Sequence, residues 1–506
     1  MTAVQPGNAT GSRWGVLALC AVAQFMVVLD VSIVNVALPQ MRHDLGLGIA
    51  AQQWVVNAYT LTFAGFLMLG GRAADLFGRR RVFLLGLLLF TAASLLGGLA
   101  QSGAWLITAR AVQGVGGAVL APSSLSLLTS TFTDMTERRR AMGVWSATAA
   151  SGAAAGVLAG GILTDLLDWR WVLFVNVPIG LVMLFSAPRV LSESRAPKAQ
   201  RRLDVEGAFT ITAGLALLVY GIVGTDTHPW ASAPTITALA GGVALLAAAL
   251  AIEARLAANP IVPLAVFRRR SLCAANGIAM AVGAALFGMY FFVSLYLQEV
   301  VGDSPLRTGL AILPAGLMTL AGALAAPRVT EILGTRRHLV LGPALAAVGL
   351  VWMSFLSYGE GYWTHLFVPL VLFGLGIGTT FVPMTLTATT GVPPHEAGLA
   401  AGLVNTSRQV GGALGLAVLA TVAAGTVRAA HPAGAHAAQA AVTTGYGRAF
   451  LISGILLVAG AALASLIRTP AAVPAPAPAA PIGERSDGPL TGAVANQQPA
   501  PAVLEA

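Results

Sequence analysis

Charged residues are scarce in this chain, and their scarcity excludes an ordinary soluble protein. Of the 506 residues, 10% are charged and 56% are hydrophobic, whereas soluble globular domains carry about 25% charged residues. A chain of this length with so few charges cannot cover its own surface with polar groups. Lipid must therefore surround much of it, and the composition predicts an integral membrane protein.

Lysine and cysteine are nearly absent, and each absence excludes a class of site. The only lysine, Lys198, follows Pro197, so the chain lacks a Walker A loop, in which lysine follows glycine and holds a phosphate. Cys20 and Cys273 are too few for a disulfide framework or a cysteine metal site. No nucleophile–base pair is recognisable either. We expect no enzyme, cofactor, metal or nucleotide, and transport energy must come from an ion gradient or a separate ATPase subunit.

The apolar residues form runs of the length that crosses a bilayer, which is about 20 residues. Backbone groups in lipid need partners within their own segment, so each run predicts a helix. The fold class that we predict is an all-α polytopic membrane protein with 14 spanning helices. The runs lie near 14–36, 53–71, 82–101, 105–131, 141–163, 171–188, 207–224, 235–253, 272–298, 308–326, 339–357, 365–388, 400–425 and 447–467.

The basic residues lie mainly on one side of the predicted spans. The net charge of +9 comes from 29 Lys+Arg against 20 Asp+Glu, and such an excess can indicate nucleic-acid binding. Here, however, 22 of the 29 basic residues fall in segments on the same side as both termini. This asymmetry predicts cytoplasmic termini and contact with anionic lipid headgroups, and we expect no nucleic-acid partner.

Two parts of the sequence repeat each other. The stretch Gly71–Gly86 recurs 256 residues later as Pro327–Gly342, and Gly152 matches Gly411 further along. Parallel halves of this kind place a substrate cavity at their interface near the membrane midplane. We predict two six-helix bundles in a pseudo-twofold arrangement with two inserted helices. The segments are a cytoplasmic N-terminus (1–13), the N-terminal bundle (14–188), a loop with inserted helices 7 and 8 (189–271), the C-terminal bundle (272–468) and a disordered Ala/Pro-rich cytoplasmic tail (469–506).

Four local signatures occur in order along the chain. They are LDVSIVNVALP at 29–39, QWVVNAY at 53–59, the Gly71–Gly86 loop and DWRWVLFVNVPIG at 168–180. With them, the chain resembles the 14-helix drug:proton antiporters of the major facilitator superfamily. The resemblance implies a multi-pass monomeric carrier of the bacterial inner membrane that exports small hydrophobic or amphipathic compounds in exchange for protons. One position departs from the pattern, because Val157 stands where these antiporters usually have a helix-kinking proline.

Asp30 is the one acidic residue well inside a predicted span. An unpaired carboxylate in hydrocarbon is costly, so a proton or a cationic partner must neutralise it, and either property suits a proton carrier. Arg110 is the partner that we expect, because both residues lie ~8–9 Å below the same membrane surface at 1.5 Å per helical residue. Our hypothesis is that Arg110 tunes the proton affinity of Asp30. The alternative for Asp30 is a helix-packing contact or the lining of a hydrated vestibule, and the alternative for Arg110 is a static tie to backbone carbonyls.

A polar stripe occurs once in each half. Arg110 and Gln113 share a helix face with two glycines, and Asn405, Arg408 and Gln409 repeat this spacing. Arg408 could meet an anionic or polar substrate group, or it could only hold the two halves together. Aromatic residues of the second span could line a drug pocket, or could pack in the core or face lipid. The candidates for the substrate cavity are Asn35, Trp54, Tyr59, Gln113, Asn405, Arg408 and Gln409.

The loop after the second span resembles the gating loop of the superfamily. Its glycine permits a tight turn, and its acid can pair with an arginine near the helix ends. These arginines could merely enforce the positive-inside bias, but recurrence of the spacing in the second half favours conformational control. The predicted gating loop comprises Arg72, Asp75, Gly78, Arg79 and Arg80.

Three glycines in the fifth span recur every four residues and therefore share one helix face. They are Gly152, Gly156 and Gly160. This stripe predicts either a close-packing contact between helices or a smooth surface on which the halves rock against each other.

Two other functions stay open at this point. One is a proton-coupled or facilitated importer of a small metabolite, although the cavity helices have few of the polar residues that sugar and organic-anion carriers usually show. The other is a membrane sensor or scaffold, although the loops are short and add no soluble domain. The lone intramembrane acid disfavours strongly cationic compounds as substrates.

Overall fold

The computed structural model describes residues 10–193, 205–226, 228–252, 268–357, 361–392, 397–431 and 434–465. In these ranges the chain is helical and has no β-strand. Our predictions for the first nine residues and for the Ala/Pro-rich tail lie outside the described residues.

Each predicted span corresponds to a helix in the described part of the chain. Several helices are longer than the apolar runs that predicted them, and α1 alone has 35 residues, because polar residues continue the helix beyond the hydrocarbon. The helices are α1 (Thr10–Asp44), α2 (Ile49–Phe77), α3 (Arg79–Gly98), α4 (Gly103–Thr131), α5 (Met135–Leu166), α6 (Trp171–Val190), α7 (Val205–Val223), α8 (Ala233–Ala251), α9 (Arg270–Val301), α10 (Pro305–Leu333), α11 (Thr335–Met353), α12 (Trp363–Thr389), α13 (Ala397–Ala430) and α14 (Ala435–Ser465).

Thirteen helices within the described ranges are long and apolar enough to cross a membrane. The remaining one, α11, has Arg336 and Arg337 in its first turn and packs against α12 and α14. Two details differ from the simple apolar runs. The helix α6 is interrupted at Val175, whereas α5 continues unbroken through Val157, the position where related antiporters usually have proline.

Local chemistry explains where several helices begin. The side-chain oxygens of Ser102, Asp134 and Ser304 accept hydrogen bonds from first-turn amides of α4, α5 and α10, which satisfies donors that lack a helical partner. Single glycines join α2 to α3 and α10 to α11. Gly78 has a φ of +109° and Gly334 a φ of +77°, a backbone region that favours glycine.

Helix packing repeats in the two halves. In the first half, α1 packs against α5, α2 and α3 pack against α4, and α3 packs against α6. The second half repeats these pairs as α9 with α13, α10 and α11 with α12, and α11 with α14. The internal repeat of the sequence therefore appears as a repeated arrangement of six helices.

The two halves meet along two sides. On one side α5 packs directly against α10. On the other side α2 packs against α13, and α7 lies against both of them. Leu61, Val219 and Ala413, one from each of these three helices, belong to the same apolar cluster. The inserted helices pair with each other, and α7 attaches the pair to the interface between the halves.

Candidate functional site

The carboxylate of Asp30 lies at the centre of a buried polar cluster in the first half. Its side chain, on α1, has no solvent exposure. Arg110 Nη1 donates to Asp30 Oδ2 at 2.6 Å. Gln113 Nε2 and Asn176 Nδ2 donate to Asp30 Oδ1 at 2.8 and 3.0 Å. The predicted pairing of Asp30 with Arg110 is present, and two amides complete the surroundings of the carboxylate.

Arg110 is held on three sides. Its Nη1 also donates to Gln113 Oε1 at 2.7 Å, and its Nε donates to the carbonyl of Val55 on α2 at 3.3 Å. The guanidinium carbon lies 4.4 Å from the centre of the Tyr59 ring, within the range of a cation–π contact. The predicted cavity residue Tyr59 therefore supports Arg110 directly.

Ser94 on α3 links the amides of the cluster. Its hydroxyl accepts from Gln113 Nε2 at 3.2 Å and from Asn176 Nδ2 at 3.1 Å, and it donates to the carbonyl of Leu173 at 2.8 Å. Sequence reasoning did not select Ser94 or Asn176 as site residues. Asn176 lies in the signature at 168–180 and could have been found there, whereas Ser94 is one hydroxyl in an apolar run and gives no separate signal.

The cluster contains one positive and one negative charge, which neutralise each other in a place shielded from solvent. Breaking a buried ion pair by removing one charge is strongly unfavourable because the other charge then lies in a low dielectric unpaired. Asp30 and Arg110 therefore depend on each other for charge compensation, and the hydrogen bonds of the cluster connect five helices of the first half.

The polar stripe of the second half is not part of this cluster. Arg408 on α13 is half-buried, and its Nη2 donates to Asn405 Oδ1 at 2.7 Å. Its guanidinium carbon lies 5.7 Å from the centre of the Phe381 ring on α12. Gln409 is buried.

The predicted gating loop forms a compact turn. Asp75 accepts from Arg79 Nη2 at 3.1 Å and from Ser126 Oγ at 3.4 Å. Glu193, which follows α6, accepts from the backbone amide of Arg80 at 3.3 Å. A Cβ at Gly78 would meet only the carboxylate of Glu193, the mobile end of a long side chain, so the positive φ is what favours glycine here.

The remaining loop residue is Arg72, half-buried on α2.

The repeated loop in the second half has the same design. Gly334 makes the turn, and Arg336 Nη2 donates to the carbonyl of Ser465 at the end of α14. In each half, therefore, the segment at the end of the sixth helix contacts the start of the third.

The glycine stripe of α5 packs within the first half. Side chains at Gly152, Gly156 or Gly160 would run into α1, and the carbonyl of Ile33 would lie 2.7 Å from a Cβ at Gly160. The contact with α10 uses another face of α5, where a Cβ at Gly161 would lie 2.7 Å from the carbonyl of Pro305. The three glycines thus allow close packing with α1, and the surface between the halves belongs to neighbouring residues.

Two predicted cavity residues lie away from Asp30. Trp54 lines a cavity of about 160 Å³ between α2, α7 and α8. The backbone carbonyl of Asn35 accepts a hydrogen bond from Ser294 Oγ on α9 at 3.0 Å, and its side chain donates to the carbonyl of Val31 at 2.8 Å. Asn35 therefore marks a contact between the halves.

Further contacts between the halves lie at the same end of the bundle, which carries the segment 45–48 and is called here the α1–α2 end. Gln298 Nε2 donates to the carbonyl of Val36 at 2.9 Å. Arg42 Nη1 and Glu299 Oε1 form an ion pair at 3.1 Å. Polar contacts between α1 and α9 therefore join the two halves at this end.

Comparison with known proteins identifies the family. The model of the Major Facilitator Superfamily matches residues 20–416. The chain belongs to this superfamily. A cephamycin export protein, CmcT, of Amycolatopsis lactamdurans is 42% identical over 475 residues, which cover 92% of this chain and 96% of the relative. The puromycin resistance protein pur8 of Streptomyces alboniger is 43% identical over 425 residues, which cover 82% of this chain and 83% of the relative.

A solved structure supports the fold. A bacterial homologue of the human lysosomal transporter Spinster, in an inward-facing and unoccupied conformation, aligns with a TM-score of 0.64 at 15% identity. The alignment covers 91% of this chain and 97% of that one. Membership of the Major Facilitator Superfamily and the names of the relatives show that the protein is a multi-pass membrane transporter rather than an enzyme, as the sequence predicted.

Proposed function

We propose that this transporter is an antiporter of the bacterial inner membrane that exports small hydrophobic or amphipathic compounds, including antibiotics, in exchange for protons. The names of the relatives, which concern cephamycin export and puromycin resistance, support the direction of transport and the substrate class. The proton-coupling part rests on the buried contact between Asp30 and Arg110.

Asp30 serves as the proton carrier in this proposal. When it is ionised, its charge and that of Arg110 cancel. When it takes up a proton, Arg110 lies buried without a counter-charge, and loss of one partner of a buried ion pair costs about 3–5 kcal/mol. A conformation that hydrates the guanidinium relieves this cost. Proton uptake therefore shifts the balance between two arrangements of the bundles.

The orientation follows from the basic residues. Both termini lie in the cytoplasm if the positive-inside rule holds, so the α1–α2 end faces outward. The contacts of Asn35 with Ser294 and of Arg42 with Glu299 then close the cavity to the outside. Opening of this end admits a proton to Asp30, and its closure precedes release of that proton to the cytoplasm.

The gating loop and its repeat lie at the cytoplasmic end in this orientation. Asp75 with Arg79, and Glu193 with the start of α3, hold the ends of α2, α3 and α6 together while the halves move. We propose a monomer as the working unit, without a nucleotide, as the resemblance to the drug:proton antiporters implies.

Expression in a bacterial host that lacks its own drug pumps tests the proposal. Growth across a panel of antibiotics and accumulation of a fluorescent amphipathic compound are compared for the wild type, Asp30→Asn and an empty vector. We expect the wild type to raise resistance and lower accumulation, a protonophore to abolish both effects, and Asp30→Asn to resemble the empty vector. Higher accumulation with the wild type would indicate an importer, and no flux of any compound would favour the sensor.

A further inference from the structure

Arg408 lacks the neutralising partner that Arg110 has. Arg110 forms an ion pair of 2.6 Å with Asp30. None of the ion pairs within 4.0 Å that the described residues form includes Arg408. Its only polar contact there is with the neutral amide of Asn405, and Phe381 offers the face of its ring. Among the residues that the structure describes, therefore, none compensates the positive charge that Arg408 places within a membrane-spanning helix.

The backbone of Arg408 is fixed by close packing between α13 and α9. A side chain at Gly283 would collide with the carbonyl of Arg408. Ser407 Oγ, one residue before, donates to Asn276 Oδ1 on α9 at 2.9 Å. The backbone at Arg408 is therefore rigid, and the contacts with Asn405 and Phe381 hold the guanidinium itself before any ligand arrives, which lowers the entropy lost on binding.

The helix crossing itself does not need this arginine. In the internal repeat Gly152 matches Gly411, which places Ala149 at the position equivalent to Arg408. The corresponding crossing of α5 with α1 forms with alanine there. The positive charge is thus an addition to the second half rather than a requirement of its packing.

The free donors in this place fit an oxyanion. Nη2 of Arg408 uses one of its two N–H groups for Asn405 Oδ1, and its second N–H can form a two-pronged fork with an N–H of Nη1 or of Nε. Because the oxygen of Asn405 accepts this bond, its amide NH₂ group can donate to the same ligand. A guanidinium fork suits carboxylate oxygens geometrically, and the Phe381 ring provides an apolar surface beside it.

We propose that Arg408, with Asn405 and Phe381, recognises transported compounds that carry a carboxylate next to an aromatic or apolar body. This inference rests on the export function proposed above and adds the charge of the preferred substrate. The carboxylate of the ligand supplies the counter-charge that the described residues do not supply. Asp30 and Arg110 keep the proton-coupling role proposed above.

Binding to the purified full-length protein tests this, with an aromatic carboxylic acid and its methyl ester as a matched pair of probes. Loss of a hydrogen-bonded charge pair weakens binding about tenfold to hundredfold. Arg408→Gln should weaken binding of the acid by this factor and leave the ester unchanged, and Arg408→Lys should keep part of the preference. Arg189→Gln, which removes an equal charge at the end of α6, should change neither.

Asn405→Asp provides a second test with nearly unchanged shape. It places a carboxylate beside Arg408, so binding of the acid should fall by a similar factor while binding of the ester persists. Equal losses of binding for acid and ester would overturn the proposal. An unchanged preference for the acid in Arg408→Gln and Asn405→Asp would overturn it too. Asp30→Asn separates the two proposals, because it should abolish uphill transport of both probes while the binding preference for the acid persists.

Discussion

Asp30 on α1 and Arg110 on α4 are separated by 80 residues and meet through a contact of 2.6 Å, with exposures of 0% and 2%. Each charge makes the burial of the other tolerable. Because a proton on Asp30 removes one of the two charges, the pair gives the fold a direct way to respond to protonation.

Replacement of Arg110 should change the pH dependence of transport. Arg110→Ala removes the counter-charge of Asp30, whereas Arg110→Lys keeps a positive charge at this place. We expect Arg110→Ala to shift the pH profile of transport and Arg110→Lys to shift it less. Initial transport rates measured across a pH series check this, with Arg189→Ala as the exposed control. An unchanged pH profile with full activity would remove the tuning role.

Asn176 should contribute to both stability and proton coupling. Asn176→Ala removes the donor to Asp30 Oδ1 and to Ser94 Oγ. Hydrogen bonds to charged groups contribute about 1.5–3 kcal/mol, so we expect a clear fall in the midpoint of thermal unfolding together with a changed pH profile. Ser186→Ala is the control, because that hydroxyl bonds only to carbonyls of its own helix. Lower stability with an unaltered pH profile would mean that Asn176 is purely structural.

Gly156 should tolerate no side chain. A Cβ there would collide with Ser32 Oγ and lie 2.8 Å from the carbonyl of Leu29, beside the proton site. Overpacking of this kind costs about 1–3 kcal/mol. Gly143→Ala on the same helix meets nothing within 4 Å and should be neutral or slightly stabilising. Folded yield and the midpoint of thermal unfolding are compared for Gly156→Ala and Gly143→Ala. Equal values for the two variants would refute the packing argument.

The ion pair between Arg42 and Glu299 should bias the α1–α2 end toward closure. The pair is partly exposed, with side-chain exposures of 35% and 30%, so its contribution is about 0–1 kcal/mol and the shift should stay below about fivefold. We expect Arg42→Glu to speed labelling of a Ser294→Cys reporter by an impermeant maleimide, in a Cys273→Ser background. The double swap Arg42→Glu with Glu299→Arg should restore slow labelling, and its failure to do so would argue against a specific pair.

Much of the fold was predictable because the membrane constrains it. Apolar runs located every described helix, and the repeat between Gly71–Gly86 and Pro327–Gly342 indicated the duplicated arrangement. The pairing of Asp30 with Arg110 was predictable for a related reason. Two costly charges at equal depth on nearby helices have few other ways to be neutralised.

Other parts of the site could not be derived from helical periodicity. A four-residue spacing shows that Gly152, Gly156 and Gly160 share a face, but it does not say which neighbour that face meets. The same limit applies to Trp54, whose surroundings depend on where the inserted helices dock. Ser94 could not be selected from the sequence, because a hydroxyl in an apolar helix can bond to the backbone of that same helix. Only the packed structure shows that Ser94 bonds to Gln113, Asn176 and Leu173.

Transport by purified protein in lipid vesicles with an imposed pH difference tests the central claim most directly. The wild type should accumulate compound against its gradient while protons move the opposite way. Asp30→Asn, which keeps the shape but cannot exchange a proton, should bind the compound and lose uphill transport. Uphill transport driven by the pH difference in Asp30→Asn would contradict the account.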